Sequence, residues 1–230
     1  MSADPFAGFD LETRIAERAG LVGLQLDTKA IAAIAAHARA VLEHNERLQL
    51  TTLTDADAFF ERHIGESLEG AALLDPNARG CLLDLGSGNG YPAIPIAAAR
   101  VGLEPICVEA STAKAAFLKD VLESTLMRGD VWNKQVQRPD DFEESVSVRV
   151  LTSRAMGNWE RIFPRIAPRL APNGVAMLWA GESVQVIASR QRWKSKLAQV
   201  AQHRLPGRQR SWVWCFRPAA QSRHPKVGLS

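Results

Sequence analysis

The stretch LLDLGSGNGYPAIPIA, Leu82–Ala97, decides how the chain is read. A short apolar run broken only by Asp84 leads into Gly86, Gly88 and Gly90, each one residue apart, and then into Pro92. The run has the length of a strand, and a proline is tolerated where a helix begins because the first helical N–H groups have no partner anyway. The stretch therefore predicts a strand, a tight turn and a helix. Glycines remove side chains where a ligand must approach backbone, and at least one here is expected at positive φ. Dinucleotide-binding turns space their glycines G-x-G-x-x-G, whereas the spacing here is G-x-G-x-G with Tyr91 five residues after Gly86. A carboxylate at Asp84 would repel a pyrophosphate, but it can order the turn's amides or hold a cationic ligand through water. A turn that merely connects strand to helix is the plainer alternative.

Working outward, short apolar runs at Cys81–Leu85, Pro105–Val108, Val131–Val136, Arg149–Thr152 and Val175–Trp179 alternate with helical stretches at Pro92–Arg100, Ala113–Met127 and Trp159–Leu170. Such alternation predicts βαβ units, an α/β class and a mostly parallel sheet, whose ligands bind at the carboxyl ends of the strands. Trp212–Arg217 reads as an edge strand, with Trp212 and Trp214 on one face as core residues. Glu182–Arg204 reads at first as helix, and helix against strand stays open for 190–205. Upstream, apolar residues at Ile31, Ile34, Ala35, Ala38, Val41 and Leu42 have helical spacing after an Asp27 or Thr28 cap. Thr54 and Asp57 form a capping-box pattern ahead of a further helix. The chain divides into a helical cap or lid over 1–78, an α/β domain over 79–218 and a flexible tail over 219–230.

The 230 residues are 46% hydrophobic and 23% charged, the balance of an ordinary globular protein. No run approaches the ~20 apolar residues of a membrane span. The first twenty residues are acidic with no hydrophobic core of a signal peptide, which predicts a cytoplasmic protein without membrane contact. Cys81, Cys107 and Cys215 are few, scattered and outside metal-ligand spacing, so they read as reduced thiols, and no metal is expected. The net charge of +3 conceals an asymmetry: Val186–Ser230 holds ten Lys/Arg and no Asp or Glu, against 18 basic and 25 acidic residues before it. A basic tail on an acidic body suits a polyanionic partner.

Two further carboxylates bear on the turn. Glu109 ends the second strand 23 residues after Gly86, where an acid accepts both hydroxyls of a ribose, although it also suits a helix start before Ser111. The segment QRPDDF, 137–142, follows the third strand, and there Pro139 and Asp140 are candidates to cover and hydrogen-bond an adenine. The pattern D-x-G-x-G-x-G over Asp84–Gly90 resembles the S-adenosylmethionine loop of Rossmann-like methyltransferases. More specifically, HNERLQLTTLTD (44–55), ERHIGESL (61–68), the glycine stretch, EASTAKAAFLKDV (109–121) and VLTSRAM (150–156) resemble, in order, the segments of the RsmG (GidB) family. That family methylates guanine N7 in small-subunit ribosomal RNA.

The resemblance implies a seven-stranded Rossmann-like methyltransferase sheet with helices on both faces and S-adenosylmethionine as cofactor. It carries cofactor binding to Asp84, Gly86, Ser87, Gly88, Gly90, Tyr91, Glu109, Pro139, Asp140 and Arg154. Guanine N7 carries no proton, so transfer needs no general base, and catalysis rests on holding N7 in line with the sulfonium carbon. Arg154 is the residue tied to catalysis, gripping O6, a phosphate or the methionine carboxylate, unless it only bridges to Asp84 or Glu109. Arg62 and His63 on the cap, and Arg190, Lys194 and Lys196 in the basic part, are the RNA-binding candidates, serving ribosomal RNA or the small subunit from a monomer. The chain departs from the family in LWAGE (178–182), where Ala180 stands for an expected lysine, and in His44 and Gln49. That departure keeps open a same-fold methyltransferase for a small molecule or protein, and a non-enzymatic RNA-binding relative.

Overall fold

The computed structural model describes residues 5–136, 138, 141, 146–154 and 156–219. Pro139, Asp140 and the tail from 220 onward lie outside the described residues. Six helical segments precede the sheet: α1 (Leu11–Leu21), α2 (Thr28–Glu43), α3 (Asn45–Leu48), α4 (Ala56–Phe59), a π-helical stretch (Phe60–Gly65) and α5 (Glu66–Ala72). Asp27 caps α2 by accepting from the Ala30 N–H at 2.8 Å. The cap of α4 is Asp55, which accepts from Ala58 N at 2.9 Å, and not the Thr54–Asp57 pair that the spacing suggests. An aspartate directly before the first helical residue reaches the free N–H groups without a reciprocal partner.

The rest of the chain alternates β1 (Gly80–Leu85), α6 (Ala93–Ala99), β2 (Leu103–Val108), α7 (Thr112–Ser124), β3 (Asp130–Trp132), β4 (Val148–Arg154), α8 (Trp159–Ile166) and β5 (Leu170–Ala180). It closes with α9 (Ser183–Ala188), α10 (Gln191–Lys194), β6 (Leu197–Arg204) and β7 (Trp212–Pro218). The seven strands lie in the order β3-β2-β1-β4-β5-β7-β6. Pairing is parallel from β3 to β5, and β7 is antiparallel to both β5 and β6, so β6 runs with the parallel strands. The third strand is shorter than Val131–Val136, ending at Trp132.

The expected helix over Glu182–Arg204 breaks into two short helices and a strand. The pairing of β6 with β7 shifts register between Gln199 and Ala201. A bulge of that kind interrupts the period-2 alternation that would have marked a strand in the sequence. Tertiary pairing along β7 overrides the helical propensity of Lys, Gln and Ala there.

Strand alternation sends Leu82, Val150, Met177, Trp179 and Val213 to one face and Leu83, Leu85, Leu151, Leu178 and Trp214 to the other. The N-terminal helices share the first of these cores without a break, from Phe6 and Ile34 through Ile64 and Leu68 to the sheet, while α8–α10 cover the second. Among the described residues no helix is long and apolar enough to cross a membrane.

Gly70 is a tight joint between cap and sheet. A Cβ built there would lie 2.2 Å from Trp179 Cζ2, and Trp179 is anchored by its indole N–H donating to Glu66 O at 3.1 Å. Alanine normally gains about 1 kcal/mol over glycine inside a helix. Here overpacking outweighs that gain, and Gly70→Ala is expected to destabilise by about 1–3 kcal/mol, read as a lowered urea midpoint at unchanged slope.

Candidate functional site

β1 delivers Asp84 to the carboxyl edge of the sheet, paired in register with Cys107 of β2 and Thr152 of β4. The carboxylate is fully buried: Oδ1 accepts from Thr152 Oγ1 at 2.7 Å, whereas Oδ2 has no hydrogen-bond partner. Burial pushes its pKa up to about 6, opposed by the Thr152 and Ser87 hydroxyls and by Arg154. Ser87, also buried, donates to Asp84 O at 3.1 Å and holds the turn against the strand end. The Gly86 and Ser87 amides both donate to Val108 O at 3.0 Å.

The three glycines do different work. All have positive φ, +70° at Gly86, +55° at Gly88 and +88° at Gly90. At Gly88 an added Cβ would meet only Gly86 O at 3.8 Å, so this backbone is open to approach. At Gly90 it would lie 2.6 Å from Ile94 Cδ1 and 2.9 Å from His37 Nε2, so Gly90 is required by packing under the cap. Glu109 sits at the end of β2 with both oxygens engaged: Oε2 accepts from Gly88 N at 2.9 Å and Oε1 from Ser111 N at 2.7 Å. The acid thus pins the open glycine to the start of α7, and each oxygen keeps a second lone pair for a donor on a ligand.

Arg154, at the end of β4, points to the cap face. Its Nη1 donates to Arg62 O and its Nη2 to His63 Nδ1, each at 2.7 Å, so it bridges neither Asp84 nor Glu109 by a hydrogen bond. His63 Nε2–H in turn donates to Thr51 Oγ1 at 2.8 Å, and Thr51 N donates to Asn45 Oδ1 at 2.8 Å. Tyr91 lies between two imidazoles, 4.3 Å from His37 and 4.9 Å from His63 by ring centroid, with Arg154 5.7 Å over its ring. Its ring belongs to the cap–sheet interface and its hydroxyl is buried without a partner, whereas the resemblance assigns it to cofactor binding. Arg62 is ion-paired with the buried Glu66 (Nε to Oε1, 3.1 Å), leaving its guanidinium at the rim.

The structure therefore gathers Asp84, Gly86, Ser87, Gly88, Glu109, Arg62, His63 and Arg154 at one edge. It does not bring Arg190, Lys194 and Lys196 there. These residues precede β6, and because β6 runs parallel to β5 its beginning lies at the amino edge of the sheet. Lys194 ends a short helix and Lys196 lies just before the strand, so 190–196 is neither one helix nor strand.

Sequence reasoning passed over His37 and Asn89. His37 is wholly buried and its Nε2–H donates to Asn89 O at 2.7 Å, while Asn89 Nδ2 donates to Leu50 O at 3.1 Å. The signal was a histidine on the apolar face of α2, three residues from both Ile34 and Ala40 and flanked by Ala38.

Burial, with Arg154 nearby, pushes His63 far below the usual histidine range, and burial takes His37 down to about 4. Both imidazoles are neutral when folded and take up protons on unfolding as pH drops below about 6.5. Asp84 works in the opposite sense below pH 6, because its folded carboxyl protonates before the unfolded one. Two imidazoles outweigh Asp84 and the buried Glu66, whose pKa burial also raises, so stability is expected to fall by up to about 1 kcal/mol per unit from pH 6.5 towards 4.5. His37→Gln should remove about one proton from that dependence, measured as urea midpoints at pH 7 and 5; an unchanged slope would mean that His37 is already charged in the fold.

The family described as GidB, rRNA small subunit methyltransferase G, matches residues 30–211. A ribosomal RNA small subunit methyltransferase G of Sorangium cellulosum is 31% identical over 180 residues, covering 77% of this chain and 75% of its own length. One from Anaeromyxobacter (strain Fw109-5) is 32% identical over 164 residues, covering 70% and 75%. Among solved structures, the Methanococcus jannaschii fibrillarin pre-rRNA processing protein superposes with a TM-score of 0.53 at 14% identity, over 64% of this chain and 69% of its own. MtNAS, crystallised in complex with MTA and tNA, superposes at 0.56 and 15% identity, over 94% and 90%. These two share the fold. With the family matching most of the chain and relatives above 30% identity, the chain belongs to the GidB family, the rRNA small subunit methyltransferases G.

Proposed function

We propose that this chain transfers a methyl group from S-adenosylmethionine to N7 of a guanine in small-subunit ribosomal RNA, by positioning and without a general base. The observation that carries the reading is the open backbone at Gly88, bracketed by the unpartnered Asp84 Oδ2 and by Glu109 on the neighbouring strand end. These groups fit the cofactor: a buried carboxylate oxygen awaiting a donor, a glycine with room above it, and an acid with lone pairs to spare for ribose hydroxyls. S-adenosylmethionine, when bound, supplies an electrophilic methyl group on a sulfonium.

The protein side of the reaction is placement. Guanine N7 presents a free lone pair in the major-groove edge, so no side chain has to remove a proton. The imidazoles near the site fit that requirement, since His63 Nδ1 accepts from Arg154 and His37 Nε2–H donates to Asn89 O. Arg154 acts as a positioning residue. It ties the π-helical stretch of the cap to the sheet edge beside the turn, and its guanidinium lies over the buried Tyr91 ring. Misplacement of a reacting pair by about 1 Å can cost on the order of a hundredfold in rate.

Calorimetric titration with S-adenosylhomocysteine, then methyl transfer to unmodified small ribosomal subunits with mapping of the modified base, tests the proposal. Binding with label at a guanine N7 is the expected result; binding without transfer would refute the RNA assignment. Gly88→Val should weaken cofactor affinity at least about a hundredfold, beyond the about 1–2 kcal/mol of stability that a side chain at its φ of +55° costs. Arg154→Ala should lower kcat by about tenfold or more while cofactor Kd stays within about threefold, because its hydrogen bonds go to the cap and not to the turn.

A further inference from the structure

The described basic residues after Val186 fall at two opposite edges of the sheet, and one of those edges carries the glycine turn. In register, Ala180 of β5 pairs with Trp212 of β7, and Trp212 pairs with Arg204 of β6. The loop Leu205–Ser211 between β6 and β7 therefore sits at the carboxyl edge, in line with the ends of β1 and β4. Three strand spacings separate β1 from β7, about 15 Å. Lys196 lies at the other end of β6, eight strand residues or about 25 Å away.

The loop LPGRQRS is built to hold its shape. Leu205 is buried, Leu205 N donates to Ser211 O at 3.0 Å, and Arg208 N donates to Leu205 O at 3.2 Å. Arg204 Nε and Nη2 donate to Arg208 O and Gln209 O, both at 3.2 Å, so this guanidinium braces the loop backbone. Arg208 reaches towards the cap, with Nε 3.8 Å from Glu66 Oε1 and Nη2 donating to Ser211 Oγ at 3.4 Å. Arg210 is exposed, and its carbonyl lies 3.4 Å from where a Cβ on Gly181 would stand, which seats the loop against the end of β5. Across from it, Arg62 meets the same Glu66. Arg62, Arg204, Arg208 and Arg210 thus lie along this edge, with Glu66 and Glu69 of α5 buried beneath it and Glu182, just before α9, exposed.

Resting on the RNA methyltransferase reading above, we infer that Arg204, Arg208 and Arg210, with Arg62 opposite them on the cap, form a phosphate clamp for the RNA strand flanking the target base. Its β6–β7 arginines sit about 15 Å from the turn, away from the target base. It meets the sugar-phosphate of neighbouring nucleotides, where the planar fork of arginine matches phosphate oxygens in pairs. Such contacts set register and orientation without reading sequence. The basic residues at 190–196 lie towards the opposite edge of the sheet.

The test compares two double variants that each remove two positive charges, Arg208→Gln with Arg210→Gln, and Lys194→Gln with Lys196→Gln. Binding of an in vitro transcribed, unmodified small-subunit ribosomal RNA is followed over a salt series. The Arg208/Arg210 pair is expected to flatten the slope of log Kd against log salt by about 1–2 and to weaken binding tenfold or more at 100 mM salt, with S-adenosylhomocysteine affinity unchanged. Arg208→Lys with Arg210→Lys should restore most of the slope, which a misfolded loop would not do. The Lys194/Lys196 pair should stay within about twofold of the parent chain. Equal losses in both pairs, or a loss confined to Lys194/Lys196, overturns the clamp while leaving methyl transfer by the parent chain as proof of the enzyme. A parent chain that binds S-adenosylhomocysteine but no RNA overturns both.

Discussion

A guanidinium cannot shed its charge, so a half-buried one has to be met by acceptors, and Arg154 at the end of β4 meets two of them on the cap: Arg62 O and His63 Nδ1. Much else follows from that junction. His63 can accept only as a neutral imidazole, and its remaining N–H is spent on Thr51, whose own amide is held by Asn45. The segment Asn45–Thr51 is thereby drawn over the glycine turn, where Leu50 O receives the Asn89 amide and Gln49 O receives Lys114 Nζ at 3.3 Å. Helical cap, strand end and turn are one hydrogen-bonded unit, and the shared apolar core beneath it leaves no seam along which the cap swings free.

The same junction sorts the charges at the carboxyl edge. The carboxylates of α5 lie inside: Glu66 is buried beneath Arg62 and Arg208, and Glu69 accepts from His203 at 2.8 Å with Arg18 3.6 Å away. Burial raises the Glu66 pKa, which the three arginines around it oppose. With the acids turned inward and the guanidiniums at the rim, the face beside the turn presents positive charge even though the first 185 residues are acidic in sum.

The turn shows a division of labour among like residues. Gly86, Gly88 and Gly90 share positive φ, but Gly88 alone has open space above its backbone, and Gly90 is demanded by His37 and Ile94. Spacing predicted that the turn would bend and that a ligand could approach it. It could not say which glycine keeps open backbone and which is packed under the cap, because the distinction lies in what packs against each from α2, some fifty residues earlier in the chain.

Local rules carried far in this protein. The alternation of periods two and near 3.6 marked the parallel strands and helices, the glycine spacing with Asp84 marked the turn, and the ordered motifs from Asn45 to Arg154 marked the family. All are signals written within a few residues of each other, where backbone sterics and side-chain alternation act. The sequence was silent wherever the answer depended on partners distant along the chain. A bulge hid β6 within a helix-like segment, and the antiparallel placement of β7 decided which basic residues reach the glycine turn's edge: Arg204, Arg208 and Arg210, and not Arg190, Lys194 and Lys196. Likewise Tyr91 and His37 became a buried stack only through the cap. Composition along a chain reports what each segment can do; the direction of a strand and the layer above it determine where that capacity is delivered.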